Sequence, residues 1–408
     1  MKKRCATCVD APQHVHPTLL CSGRIRPGRF IIGAQQIVII GAGIAGIAHA
    51  WNAARRGHRV TLIERDPTPR GASIRNFGMI WPIGQPPGPA RAVALRSREL
   101  WSELAEASGI HLLPCGSLHV AHREDEWSVL TEFAGTAASR GYECEILSAS
   151  RVLQRAPGVR AEGLIGGLFS PTEACVNPRR VIPALVGYLA QRLGIHTELS
   201  TAAIDIDAGR VRFADGRVIP FDTAVVCCGT DAQTLFPELI RSLGLHLCKL
   251  QMLRTSPQPD GWRIGPHIAG GLTLRHYRNF EHCPSLPALA ARIADETPEL
   301  NRYGVHVMAS QNETGEVIMG DSHEYDGDVE IFDKALIDEL ILRELRRMID
   351  LPDWTIAARW QGFYAKHAEK PYVVASPIPG VHVFTGLGGA GMTLALGAAA
   401  DLWDHWTR

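Results

Sequence analysis

A chain of 408 residues, 46% hydrophobic and 21% charged, has the make-up of a globular protein with a large core, and its length fits two or three domains. Lysine plus arginine and aspartate plus glutamate both number 42, so no net charge favours nucleic acid or an acidic membrane surface as a partner. The most apolar window, Ile37 to Trp51, is broken by glycines and His49 and does not suit a membrane span, while ten scattered cysteines point to reduced thiols and a cytoplasmic setting.

Residues 1–35 lack strand or helix patterning and are expected to form a disordered extension, or to follow from a translation start placed too early. Cys5-x-x-Cys8 with His14, His16 and Cys21 is a poor zinc spacing, so no metal site is expected. The basic Lys2-Lys3-Arg4 start is not followed by the apolar stretch of a secretory signal.

The β-branched run Ile37-Val38-Ile39-Ile40 predicts a buried parallel strand. Gly41, Gly43 and Gly46 follow at G-x-G-x-x-G spacing, and Ile44 and Ala45 open an alanine-rich helix to Arg56. Gly41 permits a tight turn, Gly43 lets backbone approach a pyrophosphate, and Gly46 lets helix pack on strand. The helix N-terminus supplies unpaired N–H groups to that diphosphate. A second strand, Arg59 to Glu64, ends on an acid placed to accept hydrogen bonds from a ribose, with Arg65 beside it. A carboxylate there disfavours a 2′-phosphate, so a dinucleotide other than NADP is expected.

Ala72, Ser73, Arg75, Asn76, Phe77 and Gly78 form a small-residue stretch suited to backbone lying against a flat ligand. A helix is predicted from Ala90 to Ser108, with Val93, Leu100, Leu104 and Ala107 inward, and another from Glu124 to Arg140. Leu112 to His122 and the segment after Gly163 read as strands. Pro178 opens a helix that Gly194 closes. Thr197–Ile206, Arg210–Phe213 and Arg217–Pro220 predict an antiparallel meander containing Ala203, followed by a buried strand through Val225 and Val226 to Cys228-Gly229.

From Lys249 onward the pattern predicts a second antiparallel sheet with strands at 249–257, 270–277, 305–311 and 316–320. Lys334 to Ile349 is strongly amphipathic, with Leu336, Leu340, Leu345 and Met348 as its apolar side. The end of the chain returns to a glycine-rich turn. A strand to Gly386 feeds Gly388, Gly389, Ala390, Gly391, Met392 and Thr393, and then a helix to Trp403. Backbone amides there suit the anionic N1–C2=O side of a flavin.

In this order, Gly41–Glu64, Ala72–Gly78, Asn177-Pro178, Val225–Gly229 and Thr385–Leu394 make the chain similar to the FAD-dependent amine and amino-acid oxidoreductases related to glycine oxidase, sarcosine oxidase and D-amino-acid dehydrogenase. The resemblance implies an α/β fold: a discontinuous Rossmann-like FAD domain (36–110, 166–247, 366–408) with an inserted antiparallel-sheet α+β substrate domain (111–165, 248–365). It further implies hydride transfer from a neutral amine to flavin N5, then hydrolysis of the imine. No linking cysteine or histidine matches, so the FAD is expected to be non-covalent. The acceptor is O2 or another oxidant, and a homo-oligomer is possible.

The runs Arg75–Gln85, Thr273–Tyr277 and Met319–Tyr325 resemble a subgroup encoded beside phosphonate-degrading enzymes, which implies oxidation of 2-aminoethylphosphonate or its N-methyl derivative to phosphonoacetaldehyde. Two departures agree with this. Gln311 falls near the usual carboxylate-clamping arginine, and Trp360-Gln361-Gly362 continues without the usual Arg-Pro. His276, Tyr277, Tyr364 and Lys366 are the catalytic candidates, since a tetrahedral dianion needs donors from several directions. His306 is either a pocket or a core histidine, and Arg275, alternating with His276 on a strand, is expected to face away. The alternative is an oxidase or dehydrogenase of glycine, sarcosine or a D-amino acid.

Overall fold

The computed structural model describes residues 33–406, so the cysteines and histidines between Cys5 and Cys21 lie outside the described residues. A six-stranded sheet forms one half of the fold. Its order is Val373–Ile378, Val381–Thr385, Thr223–Val226, Gln36–Ile40, Arg59–Ile63, His196–Glu198, and all but the first of these run parallel. Strands from the start, middle and end of the chain thus share one sheet, with Gln36–Ile40 inside it.

That central strand is covered on both faces, which is why it is apolar without alternation. Ile37 and Ile39 pack with Ile47 and Trp51 of the helix Ile44–Arg55 and with Leu396 and Trp403 of the helix Gly391–Trp406. Val38 and Ile40 face Val211 and Phe213 of a small three-stranded antiparallel sheet.

The second half is a larger sheet built around two long antiparallel strands, Leu245–Pro257 and Ile356–His367. Met308 and Ile318 point to the face carrying Val129, Leu130 and Phe133 of the helix Glu124–Ala137. Ala309, Val317 and Met319 point to the other face, against the helix Ala335–Met348. Period-two alternation therefore feeds two separate cores. The mixed α/β class is the one the sequence pattern leads to. No helix of the described residues is long and apolar enough to cross a membrane.

Four details differ from the sequence reading. Residues 270–277 do not form a strand: His267–Ala269 does, and Gly271–Leu274 is a short helix. The amides of Thr273, His276 and Tyr277 bond back to Gly270 and Thr273 carbonyls, which removes them from any ladder. Thr197–Ile206 is split by a turn at Ser200, φ 55°; His196–Glu198 extends the parallel sheet, and only Ala203–Asp207 joins the meander. In Ala335–Met348 the inward stripe is Ile337, Leu340, Ile341, Leu345 and Met348, while Leu336 is 47% exposed. In Pro89–Ser108, Ala107 is exposed and Val93 half-buried, while Ala94, Ser97 and Trp101 go inward because the helix lies directly against Gly397 of the C-terminal helix.

Candidate active site

The strand Gln36–Ile40 delivers the chain to Gly41, whose φ of 100° and contact with the Cys227 carbonyl exclude a side chain. The Ile44 amide, at the start of the following helix, donates to Ser73 Oγ at 2.9 Å. Glu64 is buried, and its carboxylate accepts from the Ala42 amide at 2.9 Å and the Asp66 amide at 3.1 Å. It stands at the groove wall where the sequence reading puts a ribose acid, and it also holds the turn.

The second glycine turn faces the first. Thr385 Oγ1 donates to the Gly229 carbonyl at 3.2 Å, tying two parallel strand ends together. Gly386 and Gly388 adopt φ 73° and 58°, and a 3-10 turn at Gly388–Ala390 leads into the C-terminal helix. Thr393 Oγ1 accepts from the Trp81 amide at 2.9 Å, so this helix also fixes the loop after Phe77.

Both turns open on one cavity of about 620 Å³ that runs to the second sheet. Gly41, Gly43, Ile44, Ala45, Glu64 and Arg65 line it, as do Ala72, Ser73, Arg75, Asn76 and Phe77. So do Ala203, Cys228 and Gly229, and Gly386 and Gly388 through Thr393. Gly46 and Gly78 do not reach it. Gly46 abuts the Gly41 carbonyl and Gly78, at φ 77°, the Val176 carbonyl, so both are close-packing positions. Arg65 pairs with Asp231 at 2.8 Å, and Asn76 caps its own loop through Ala72, Ser73 and Gly78.

At the inner end stand His276, Tyr277, Tyr364 and Lys366, together with His306, Asp321 and His323. The His276 and His306 rings stack at 3.8 Å between centroids, and His306 stacks on His323 at 5.0 Å. His306 Nε2 is 3.2 Å from Asp321 Oδ1, and His323 Nε2 is 3.9 Å from Asp321 Oδ2. Burial, then the charges of neighbouring groups, drives His276 and His306 well below the ordinary imidazole value and His323 to about 4. Burial raises the Asp321 carboxyl well above its usual range, and the Tyr277 and Tyr364 phenols move up for the same reason. Lys366 makes no ion pair among the described residues; its ammonium lies 5.9 Å from the Tyr325 ring centre.

Arg275 stays out of the cavity, as expected, but through the helical turn rather than strand alternation, and it donates to the Val305 carbonyl. Gln311 also lies outside: it is buried and spent on Ile264, Trp262 and Gly315 backbone. Asp321 and His323 lie in the run Met319–Tyr325 that carries the subgroup resemblance, but the sequence reading gives neither a place in the site. Two ionisable residues directly after the apolar strand Glu316–Gly320 are the signal that points to them.

Two facing glycine turns on a parallel sheet, with a second sheet closing a shared cavity, define a dinucleotide-dependent oxidoreductase architecture. The model of the family described as FAD dependent oxidoreductase matches residues 36–404, and the chain belongs to that family. A glycine oxidase of Geobacillus kaustophilus (strain HTA426) is 27% identical over 225 residues, covering 52% of this chain and 59% of that protein. D-amino acid dehydrogenase 2 of Mesorhizobium japonicum is 23% identical over 49% of this chain and 63% of its own length. The chain thus spans less than two thirds of the length of these two curated relatives. Among solved structures, glycine oxidase from Geobacillus kaustophilus superposes with a TM-score of 0.71 at 20% identity, covering 91% of this chain and 94% of that one.

FAD fits the residues present. The cavity is continuous from the first glycine turn to the second, side chains are excluded at Gly41 and restricted at Gly43, and two helix N-termini open on it.

Proposed function

We propose that this chain is an FAD-dependent amine oxidoreductase that oxidises a small aminoalkylphosphonate, 2-aminoethylphosphonate or its N-methyl derivative, to phosphonoacetaldehyde with release of ammonia or methylamine. The observation that carries the reading is the composition of the inner cavity wall. Histidine, tyrosine and lysine side chains converge there from different directions, and Gln311 is turned away. The arginines that reach the cavity are engaged or distant. Arg65 and Arg278 are paired with Asp231 and Glu281, Arg75 donates to the Gln361 carbonyl, and Arg70 sits in the loop beyond Glu64. Such a wall supports a tetrahedral oxyanion over a carboxylate gripped by one planar guanidinium.

Bound FAD would accept the hydride from the amine-bearing carbon. The protein's part is to position and to exclude water. Phe77, Met252 and Met308 give the cavity an apolar side, and Lys366 with Tyr364 would hold the acid group at the polar side. The burial that keeps these imidazoles uncharged also penalises an ammonium group at the same place and so favours the amine's neutral, reactive form.

A second reading, oxidation of glycine, sarcosine or a D-amino acid, is favoured by the likeness to glycine oxidase and D-amino acid dehydrogenase. Anaerobic bleaching of the flavin separates the two. Reduction by 2-aminoethylphosphonate or its N-methyl form, and not by glycine, sarcosine or D-alanine, is the expected result. The reverse pattern would establish the amino-acid reading.

A further inference from the structure

We infer that His276, His306, His323 and Asp321 form a binding site for a divalent transition-metal ion of zinc-like character at the inner end of the cavity. One ring nitrogen from each histidine lies within 4.8 Å of the others, a spacing that could hold a metal ion. The ligands come from separate, well-anchored places. His276 follows the helix Gly271–Leu274, His306 precedes the strand Met308–Gln311, and Asp321 and His323 follow the strand Glu316–Gly320. The backbones of His306 and Asp321 are paired to each other, Asp321 N donating to His306 O at 2.8 Å. The reciprocal backbone bonds between His306 and Asp321 therefore fix two of the donors at adjoining strand ends.

Independent of that clustering, His306 Nδ1 is buried without a hydrogen bond in a residue only 2% exposed, and the one polar contact of Asp321 Oδ1 is with His306 Nε2, inside the cluster. Buried polar atoms in native proteins are nearly always satisfied, and His306 lines the cavity, so a ligand bound there could supply the missing partner. The atoms identify its sign. Three imidazoles and one carboxylate are electron-pair donors that carry no net positive charge, and imidazole with carboxylate suits borderline divalent metals. A tetrahedral site with metal–nitrogen bonds near 2.1 Å has roughly 3.4 Å edges, so the histidine side chains must draw together by rotation on loading. All four residues line the cavity, which gives an ion an entry path. Expansion to a fifth coordination position on the cavity side could take an anionic oxygen of whichever substrate binds. The site itself does not depend on which amine that is.

The test uses the full-length, FAD-loaded protein, stripped with a chelator and titrated with Zn2+ and, for its visible ligand-field bands, Co2+. Metal is counted by elemental analysis and flavin by its absorbance. One ion per chain is expected, with bands of nitrogen–oxygen coordination. His306→Gln and Asp321→Asn should each weaken binding by roughly tenfold or more, with flavin content and melting temperature retained. His276→Gln, at a half-buried position, provides the same test if the buried variants fail to fold. A full-length Cys5→Ser/Cys8→Ser variant should keep the ion. Absence of uptake by the unmodified protein would overturn the inference. So would uptake unchanged in the histidine and aspartate variants, or lost in the cysteine variant.

Discussion

The Ile44 amide donates to Ser73 Oγ at 2.9 Å, so a hydroxyl from the crossover loop engages a free donor of the first nucleotide-facing helix. Gly43 is part of the same contact, because a Cβ there would lie 2.9 Å from Ser73 Oγ. Gly43→Ala must displace that hydroxyl at the turn where we propose that the FAD diphosphate binds. We expect FAD affinity to drop by about tenfold or more, the equivalent of roughly 1.4 kcal/mol, when apoprotein is titrated with FAD by flavin fluorescence. Ser73→Ala leaves the helix N-terminus open to the ligand and should change affinity far less. Equal losses in the two variants would contradict this account.

Helix packing behind the site gives a second prediction. A Cβ on Gly397 would overlap the Val93 carbonyl and approach Ser97 N to 3.0 Å, because the C-terminal helix and Pro89–Ser108 meet backbone to backbone. Gly397→Val therefore has to separate the helices, with an expected loss of about 1–3 kcal/mol. Chemical denaturation should show a lower midpoint without a matching change in substrate preference.

Much of this architecture is legible in the sequence because it rests on local chemistry. Gly41 and Gly194 occupy left-handed turns at φ 100° and 67° that mark element ends, and Ile37–Ile40 has the composition of a doubly covered strand. The segment 270–277 misleads because Leu272 and Leu274 alternate with polar residues as in a strand, whereas the Gly270-Gly271 pair starts a helical turn. The outward Leu336 shows the same limit, since neighbouring leucines and isoleucines leave a helix's inward face ambiguous until its partner is known. The histidine cluster was illegible for another reason. His276, His306 and His323 are separated by 30 and 17 positions and meet only where the ends of separate elements come together in the fold.

Lys366 tests the substrate reading at one residue. It lies on the cavity wall, with its stem beside Gly388 and its ammonium near the Tyr325 ring. Lys366→Met keeps the length of the stem but removes the charge. For an aminoalkylphosphonate, KM should rise by roughly tenfold or more with a smaller change in kcat, because a contact to the acid group is present in ground and transition states alike. An amine without an acid group, such as propylamine, should be turned over with unchanged KM. If KM for the phosphonate is unaltered, Lys366 does not hold the acid group.

The final prediction concerns acid stability and lies away from the cavity. His49 is fully buried on the first nucleotide-domain helix, with neither ring nitrogen hydrogen-bonded, and packs 4.8 Å from Phe384 and 5.7 Å from Trp406 between ring centres. Burial first, and nearby His382 second, lower it from 6.5 to about 3. Folded His49 thus stays neutral while the unfolded chain takes up a proton below about pH 6.5. The unfolded state binds more protons in that window, so stability is full above it and falls as the pH drops from 6.5 toward 3. The limiting slope is about 1.4 kcal/mol per pH unit for each such group. His119, also buried and lowered to about 3, acts in the same direction. His49→Phe, which keeps an aromatic ring against Phe384 and Trp406, should unfold with a shallower pH dependence between about pH 6.5 and 4 than the parent protein. Urea midpoints at stepped pH provide the measurement, and parallel curves for the two proteins would show that His49 does not contribute to acid sensitivity.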